Sequence, residues 1–346
     1  MWEIEDLIDM IAVDMSVLSE NKALYSEQES YDALKNITKR LSLDVKPVID
    51  AFLDKNNIGI EEMPQYYCSP LWGDVCSNFK WRYVVIRDNA NYTLVMFRVI
   101  GLYSTQRYFA VSYRPLCLDA TKPLSRVIEW LKNVKCIKKI AIIDNEDYEE
   151  VNFYNDCLPK LDSWKLKKAK ALIDDGISVE VYTNTPSVPS SVLHGIQELY
   201  DIYSVERFRF DRRTHDKYLR IALERRLPVF VFMYNKRVIG IKLCSDDWVG
   251  TFSIHAAKDI STFPVEVIAE KITDGDAVFA KRIKCFLGFL CEWYINKYLF
   301  DNYHCKAVFY DGLFEKSKKG LVEHKRIFYK KIIGYKFINI EDYDDK

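Results

Sequence analysis

From residue 227 onward, apolar runs of two periodicities alternate in a fixed order, and few folds can use that order. Residues 227–234 read as a strand, and Asn235-Lys236-Arg237 is a tight polar break. Residues 238–244 and 251–255 read as two more strands, and residues 277–299 form a long helical run. A strand at 305–310, a basic helix over 320–331 and a last strand at 333–340 complete the pattern. The order is therefore hairpin, strand, helix, strand, helix, strand.

A second, weaker copy of the pattern lies upstream. Residues 81–87 and 92–102 flank Asp88-Asn89-Ala90-Asn91, a hairpin signal. Strands at 108–113, 139–143 and 177–182 are separated by helical stretches at 123–134 and 144–175, the latter broken at Pro159. Little residue identity joins the copies, so the repeat is one of pattern. The first 55 residues read as helices, with Ile4, Leu7, Ile8, Ile11 and Ala12 at helical spacing. Residues 183–191, with Pro186 and Pro189, are the best linker. The expected division is a helical segment at 1–60, one α/β domain at 61–185 and a second at 186–346.

Composition narrows the function classes. Fifty Lys and Arg balance fifty Asp and Glu in 346 residues, so nucleic-acid contact would have to come from local basic patches. The leaning toward Lys, Asn, Ile, Tyr and Asp is compatible with an AT-rich bacterial or phage genome. Nine cysteines with no C-x-x-C pair read as reduced, mostly buried thiols of a cytoplasmic protein. The scattered histidines carry no zinc spacing, so no metal is expected. Met1-Trp2-Glu3-Ile4-Glu5-Asp6 is acidic and lacks a basic stretch, so it is not read as a secretory leader. No apolar run reaches the ~20 residues of a membrane span. The nearest, 283–298, is interrupted by Lys284, Glu292 and Lys297 and reads as a core helix with one wet edge. Walker, nucleophile-elbow and dinucleotide glycine motifs are absent, which disfavours NTPase, serine hydrolase and dinucleotide chemistry.

Residues 307–312, Ala-Val-Phe-Tyr-Asp-Gly, are followed by Gly320-Leu321-Val322-Glu323-His324-Lys325-Arg326-Ile327-Phe328-Tyr329. This segment resembles the closing part of tandem GNAT-fold transferases: the Fem-type aminoacyltransferases and the phosphatidylglycerol lysyltransferase C-terminal domain. The resemblance covers 307–329 by motif and about 65–340 by pattern. It implies an α/β (α+β) fold of two tandem GNAT-like domains, with mixed central sheets flanked by helices. It also implies transfer of an acyl or aminoacyl group to an amine or hydroxyl on a cell-wall precursor, lipid, protein or modified DNA base. Lys325 matches the lysine those families turn toward their cleft. The acetyl-CoA branch carries R/Q-x-x-G-x-G/A before the long helix, where backbone N–H groups cradle pyrophosphate. Here that region reads Lys281-Arg282-Ile283-Lys284-Cys285-Phe286-Leu287-Gly288, with the wrong spacing. The Fem-like branch also lacks the loop. Acyl-CoA and aminoacyl-tRNA both stand as donors, with no permanently bound cofactor.

The residues suited to that chemistry follow. Lys325 can stabilise an oxyanion or hold a donor phosphate. Tyr329, four residues on and so on the same helical face, takes from the resemblance the role of the acid that protonates the leaving group. Asp311 can orient or deprotonate an amine, or simply make an Asp-Gly turn. His255, at the end of the 251–255 strand, is a candidate base. Arg326, Tyr310 and His324 would bind substrate. So would Arg212 and Arg213, in a run with Arg207, Arg209, Phe208 and Phe210 that also suits tRNA or DNA. A non-catalytic binding protein on the same scaffold is the competing reading.

Overall fold

The computed structural model describes residues 3–20, 27–40, 45–59, 79–102, 107–119, 121, 124–158, 164–206, 212–246, 251–314, 325–326, 328–329 and 331–343. Its strands are β1 (Ala12–Asp14), β2 (Lys39–Arg40), β3 (Phe79–Asp88), β4 (Asn91–Leu102), β5 (Arg107–Tyr113), β6 (Leu116–Cys117) and β7 (Ile137–Ile143). They continue with β8 (Glu150–Asn155), β9 (Ile177–Tyr182), β10 (Val229–Tyr234), β11 (Arg237–Asp246), β12 (Thr251–Asp259), β13 (Ala307–Phe314) and β14 (Lys331–Asn339). The chain divides into two compact units, each a mixed sheet flanked by helices. One holds residues 1–152, 312–319 and 332–346; the other holds 153–311 and 320–331.

In the first unit the sheet runs β1-β3-β4-β5-β7-β14. β3, β4 and β5 form an antiparallel meander, and β5 pairs with β7 in parallel. A parallel neighbour needs a crossover, and the helix Ser125–Asn133 supplies it. Its Val127, Ile128, Trp130 and Leu131 face a core with Val84, Ile86, Val95 and Phe97. Met15, Leu18 and Leu34 join the same cluster, so the N-terminal helices are part of this unit. They are also interrupted, by β1 against β3 and by β2 against β3.

The second unit repeats the order. β9, β10, β11 and β12 are antiparallel neighbours. β12 pairs with β13 in parallel, after a crossover by the helix Ala277–Tyr303, and β8 is the neighbour of β13 on its other side. The tight break expected at Asn235-Lys236 is a two-residue turn. Both residues are left-handed, φ 46° and 64°, which matches the right-handed twist of the flanking strands.

The boundaries differ from those expected at 60 and 185, and the closing strands explain why. β14 does not close the second unit. It pairs antiparallel with β7 of the first, from Tyr335↔Ile143 to Asn339↔Lys139. The hydrogen bonds Asp144 N to Gly334 O (2.9 Å), Gly334 N to Asn145 Oδ1 (2.8 Å) and Glu149 N to Tyr335 O (2.9 Å) extend that junction. Gly334 is required there, because a Cβ would lie 2.3 Å from Asp144 O. Conversely β9, expected to close the first copy, pairs with β10 in the second unit. The stretch 144–175, read as helix in two pieces, is strand β8 followed by the helix Trp164–Asp174. Strand partners are set by tertiary pairing, and the period of a run does not encode them.

Candidate functional site

The parallel ladder between β12 and β13 is short. It runs from Thr251↔Ala307 to Ile254↔Tyr310, yet β12 continues to Asp259 and β13 to Phe314. Just past the last pair, β12 bulges: Ile241 faces Lys258 and Leu243 faces His255, so Ala256 and Ala257 oppose the single residue Lys242. A bulge bends its strand and re-aims side chains, which is why bulges gather beside sites. The carboxyl ends of parallel strands are also where open α/β sheets bind ligands.

Beside this point lies a buried polar network. The Lys325 ammonium donates to Glu292 Oε1, and the Tyr329 hydroxyl donates to Glu292 Oε2 at 2.6 Å. Lys325 is 2% exposed, Tyr329 1% and Glu292 4%. The ammonium also sits 3.1 Å from the centre of the Tyr310 ring, a cation–π contact that gains strength from desolvation. The helix Ala277–Tyr303 presents Glu292, and Asn296 one turn on donates to the Glu292 carbonyl at 2.8 Å. Asn155 of β8 donates to Asn296 Oδ1 at 3.4 Å. The bond from Tyr329 N to Lys325 O, 2.7 Å, keeps helical spacing, so both side chains reach one carboxylate.

The electrostatics follow from burial. Taking an ion pair from water costs several kcal/mol per ion, so every member must be paired. Burial drives the Lys325 ammonium down to about 8 from its ordinary 10.5, against the pull of Glu292. Burial alone would raise the Glu292 carboxyl; the Lys325 and Lys242 ammonium groups outweigh it and hold it below its ordinary range. Burial first, then the Glu292 charge, pushes the Tyr329 phenol well up. The arrangement joins a carboxylate held in its ionised form, a lysine held well below its ordinary range and a phenol that keeps its proton.

The network brings together three residues named from the sequence: Lys325, Tyr329 and Tyr310. The lysine expected to face a cleft is instead sealed against Glu292. Arg326, next to it, is exposed. Asp311-Gly312, read as a turn after the strand, lies inside β13, which runs on to Phe314. His255, read as a strand end, is mid-strand in β12. The side chains of Asp311 and His255 lie outside the described residues, as do His324, Arg207 and Arg209. Of the expected basic helix over 320–331, Lys325, Arg326 and Phe328 are helical among the described residues. Arg212 donates to Asp201 and Gln197 and lies 3.9 Å from Asp216, while Arg213 is exposed.

Glu292 is the residue the sequence reading passed over. The helix was read as having a wet edge at Lys284, Glu292 and Lys297; the two lysines are exposed, but Glu292 is buried. The signal was its register: Glu292 and Asn296 stand four apart, between the core positions Leu287, Leu290, Ile295 and Leu299. The start of that helix is informative too. Asp276 Oδ1 accepts from Val278 N and Phe279 N, both at 2.9 Å, so two N–H groups at that terminus are already capped by an acid.

No family model and no curated protein matches the chain. Among solved structures it is similar to a conserved protein of unknown function from Bacteroides thetaiotaomicron. That match has 16% identity, covers 87% of this chain and 98% of the other, and has a TM-score of 0.49. It is similar also to L-PGS from Bacillus licheniformis, at 13% identity over 87% of this chain and 92% of that one, TM-score 0.46. A tandem GNAT protein from the clavulanic acid biosynthesis pathway matches at 8% identity over 89% and 99%, TM-score 0.44. Among the described residues, no helix is long and apolar enough to cross a membrane. The GNAT-like reading of the fold stands on strand order: in both units an antiparallel meander, a helical crossover and a parallel strand.

Proposed function

We propose that the protein is an acyl- or aminoacyltransferase acting on an amine or hydroxyl acceptor, with its chemistry in the second unit. The observation that carries this reading is the Glu292–Lys325–Tyr329 network beside the point where the β12–β13 ladder ends. Acyl transfer needs a group to take the acceptor's proton, a charge to steady the oxyanion and an acid for the leaving group. In this reading Glu292 takes the proton, Lys325 steadies the oxyanion and Tyr329 protonates the leaving group. The acceptor belongs to the classes expected from the sequence: a cell-wall precursor, a lipid, a protein or a modified DNA base.

Between the two donors, the acid at the start of the long helix favours aminoacyl-tRNA. The Asp276 carboxylate does not fit a coenzyme A pyrophosphate at that helix terminus. One observation favours the other reading, a non-catalytic binding protein: all three members of the network are nearly inaccessible.

The deciding experiment offers the purified protein acyl-CoAs and aminoacyl-tRNAs, with hydroxylamine as a general acceptor, and follows release of the carrier. Turnover that falls about 100-fold or more in Glu292→Gln supports the transferase. Donors bound but never turned over, in wild type and variant alike, would establish the binding protein instead.

A further inference from the structure

The second unit holds another buried ion pair, which the proposed chemistry does not use. Lys242 of β11 bonds Asp259 Oδ2 at 2.5 Å, and both residues are buried. Asp259 ends β12, and its position is fixed from several sides. Its Oδ1 accepts from Ser261 N at 3.1 Å and from the Ser261 hydroxyl. Its backbone N–H donates to the Tyr203 hydroxyl at 3.0 Å, and that hydroxyl donates to its carbonyl at 2.6 Å. Lys242 is the single residue opposite the β12 bulge, so its backbone is held by the sheet at the point where the strand bends.

The direction of the side chain follows from register. Lys242 pairs with Phe230 across β10–β11, so the two share a face of the sheet. The Phe230 ring meets Tyr294 and Tyr298 edge-on, at 6.4 and 5.3 Å between centroids. Lys242 therefore faces the helix Ala277–Tyr303, the one that carries Glu292. A buried lysine on that face acts on the helix's buried carboxylate across a medium that screens poorly.

We propose that Lys242 and Asp259 are positioning residues: their ion pair, set into the sheet at the bulge, holds the Glu292 carboxylate ionised for its partnership with Lys325. Among the described residues, the charged and titratable groups that act on Lys325 are Glu292 and Cys291 on the helix, Tyr310 on β13, Tyr329 on its own segment, Lys242 on β11 and Asp259 at the end of β12. A purely structural pair would stabilise the sheet and leave this titration alone. The inference deepens the transferase reading, and its test needs no substrate.

The test is a pH titration by NMR, following Lys325 13Cε and the Glu292 side-chain carboxyl carbon in the full chain. In wild type, Glu292 is expected to stay ionised below its ordinary midpoint of 4.5 and Lys325 to titrate near 8. The paired apolar replacement Lys242→Met with Asp259→Leu is expected to raise the Glu292 midpoint by about one unit or more, and Lys325 upward with it. Lys242→Arg, which keeps the charge, is expected to stay near wild type. Unchanged midpoints in the double variant would overturn the proposal and leave the pair structural. If the double variant does not fold, wild type still decides: a Glu292 midpoint above 4.5 would overturn the proposal. Absence of turnover with these titrations intact would overturn the transferase reading alone.

Discussion

The two units share a strand order but not a core. The first crosses over with a nine-residue helix whose buried residues are all apolar. The second crosses over with 27 residues, and Glu292 and Asn296 are among its buried ones. Both units hold buried charge. In the first, among the described residues, it is one pair, Arg98 on Glu150 at 3.0 Å. In the second it is two pairs in electrostatic contact, with two aromatic rings around Lys325. The Arg98–Glu150 pair joins β4 to β8. Two coupled pairs give the second copy a buried charge network of the kind the proposed chemistry would use.

The largest effect should come from removing β14, the strand that pairs with β7 of the first unit. Deleting residues 332–346 takes away the buried side chains Ile333, Tyr335, Ile340 and Tyr343. At ~1.5–3 kcal/mol for each, the loss matches the whole stability of an ordinary domain, ~5–15 kcal/mol. The expected outcome is loss of amide protection in β7, with protection in β10 and β11 kept, measured by hydrogen exchange. Equal loss in both sheets would mean that the two units fold as one.

The next prediction separates the cores by charge. Glu292→Leu leaves Lys325 buried without its carboxylate and should cost about 3–5 kcal/mol in thermal or urea unfolding. Adding Lys325→Met should recover most of that. Glu150→Leu in the first unit should cost a similar amount through Arg98, and should leave the Lys325 titration unchanged. The pH dependence sharpens the contrast. Lys325 has a folded value near 8 against 10.5 in the open chain, so the folded form binds fewer protons between those values. Its unfavourable contribution is fully present below about pH 8 and is relieved as pH rises toward 10.5. Lys325→Met should flatten that rise in unfolding free energy, and Glu150→Leu should not.

How far the sequence could be read follows the same line between local and non-local information. The hairpin at Asn235-Lys236, the long helix and the two-copy order were legible, because each is written in the spacing of neighbouring residues. The stretch 144–175 was misread because β8 is six residues long, with little room for alternation to show. The exchange of closing strands was illegible: nothing in 331–339 marks β7 as its partner except Gly334, whose need shows only against Asp144 and Tyr148. Lys325 and Tyr329 were named through a motif, and Tyr310 through its place beside Asp311, and the structure places all three around one buried network. Glu292 was missed because a carboxylate between apolar neighbours looks like a solvated edge until a buried cation is placed opposite it.

The smallest effect concerns the two hairpins, the most similar parts of the copies. Both turn on two residues, Asn89-Ala90 between Asp88 and Asn91, and Asn235-Lys236 between Tyr234 and Arg237. In the first hairpin Asn89 alone is left-handed, at φ 56°; in the second both residues are. Asparagine tolerates that region, but lysine carries a Cβ penalty there. Glycine at 236 removes the penalty and loses no buried contact, since Lys236 is exposed. Relieving a left-handed penalty of about 1–2 kcal/mol against a glycine entropy cost of about 0.5–1 kcal/mol, Lys236→Gly should stabilise the second unit by about 0.5–1 kcal/mol, seen as a higher urea midpoint. Ala90→Gly in the first unit adds only unfolded-state freedom and should cost a few tenths of a kcal/mol or more. Opposite signs at matched positions would show that the two copies keep different turn geometries. Equal signs would put the turns in one class and leave the cores as what separates the units.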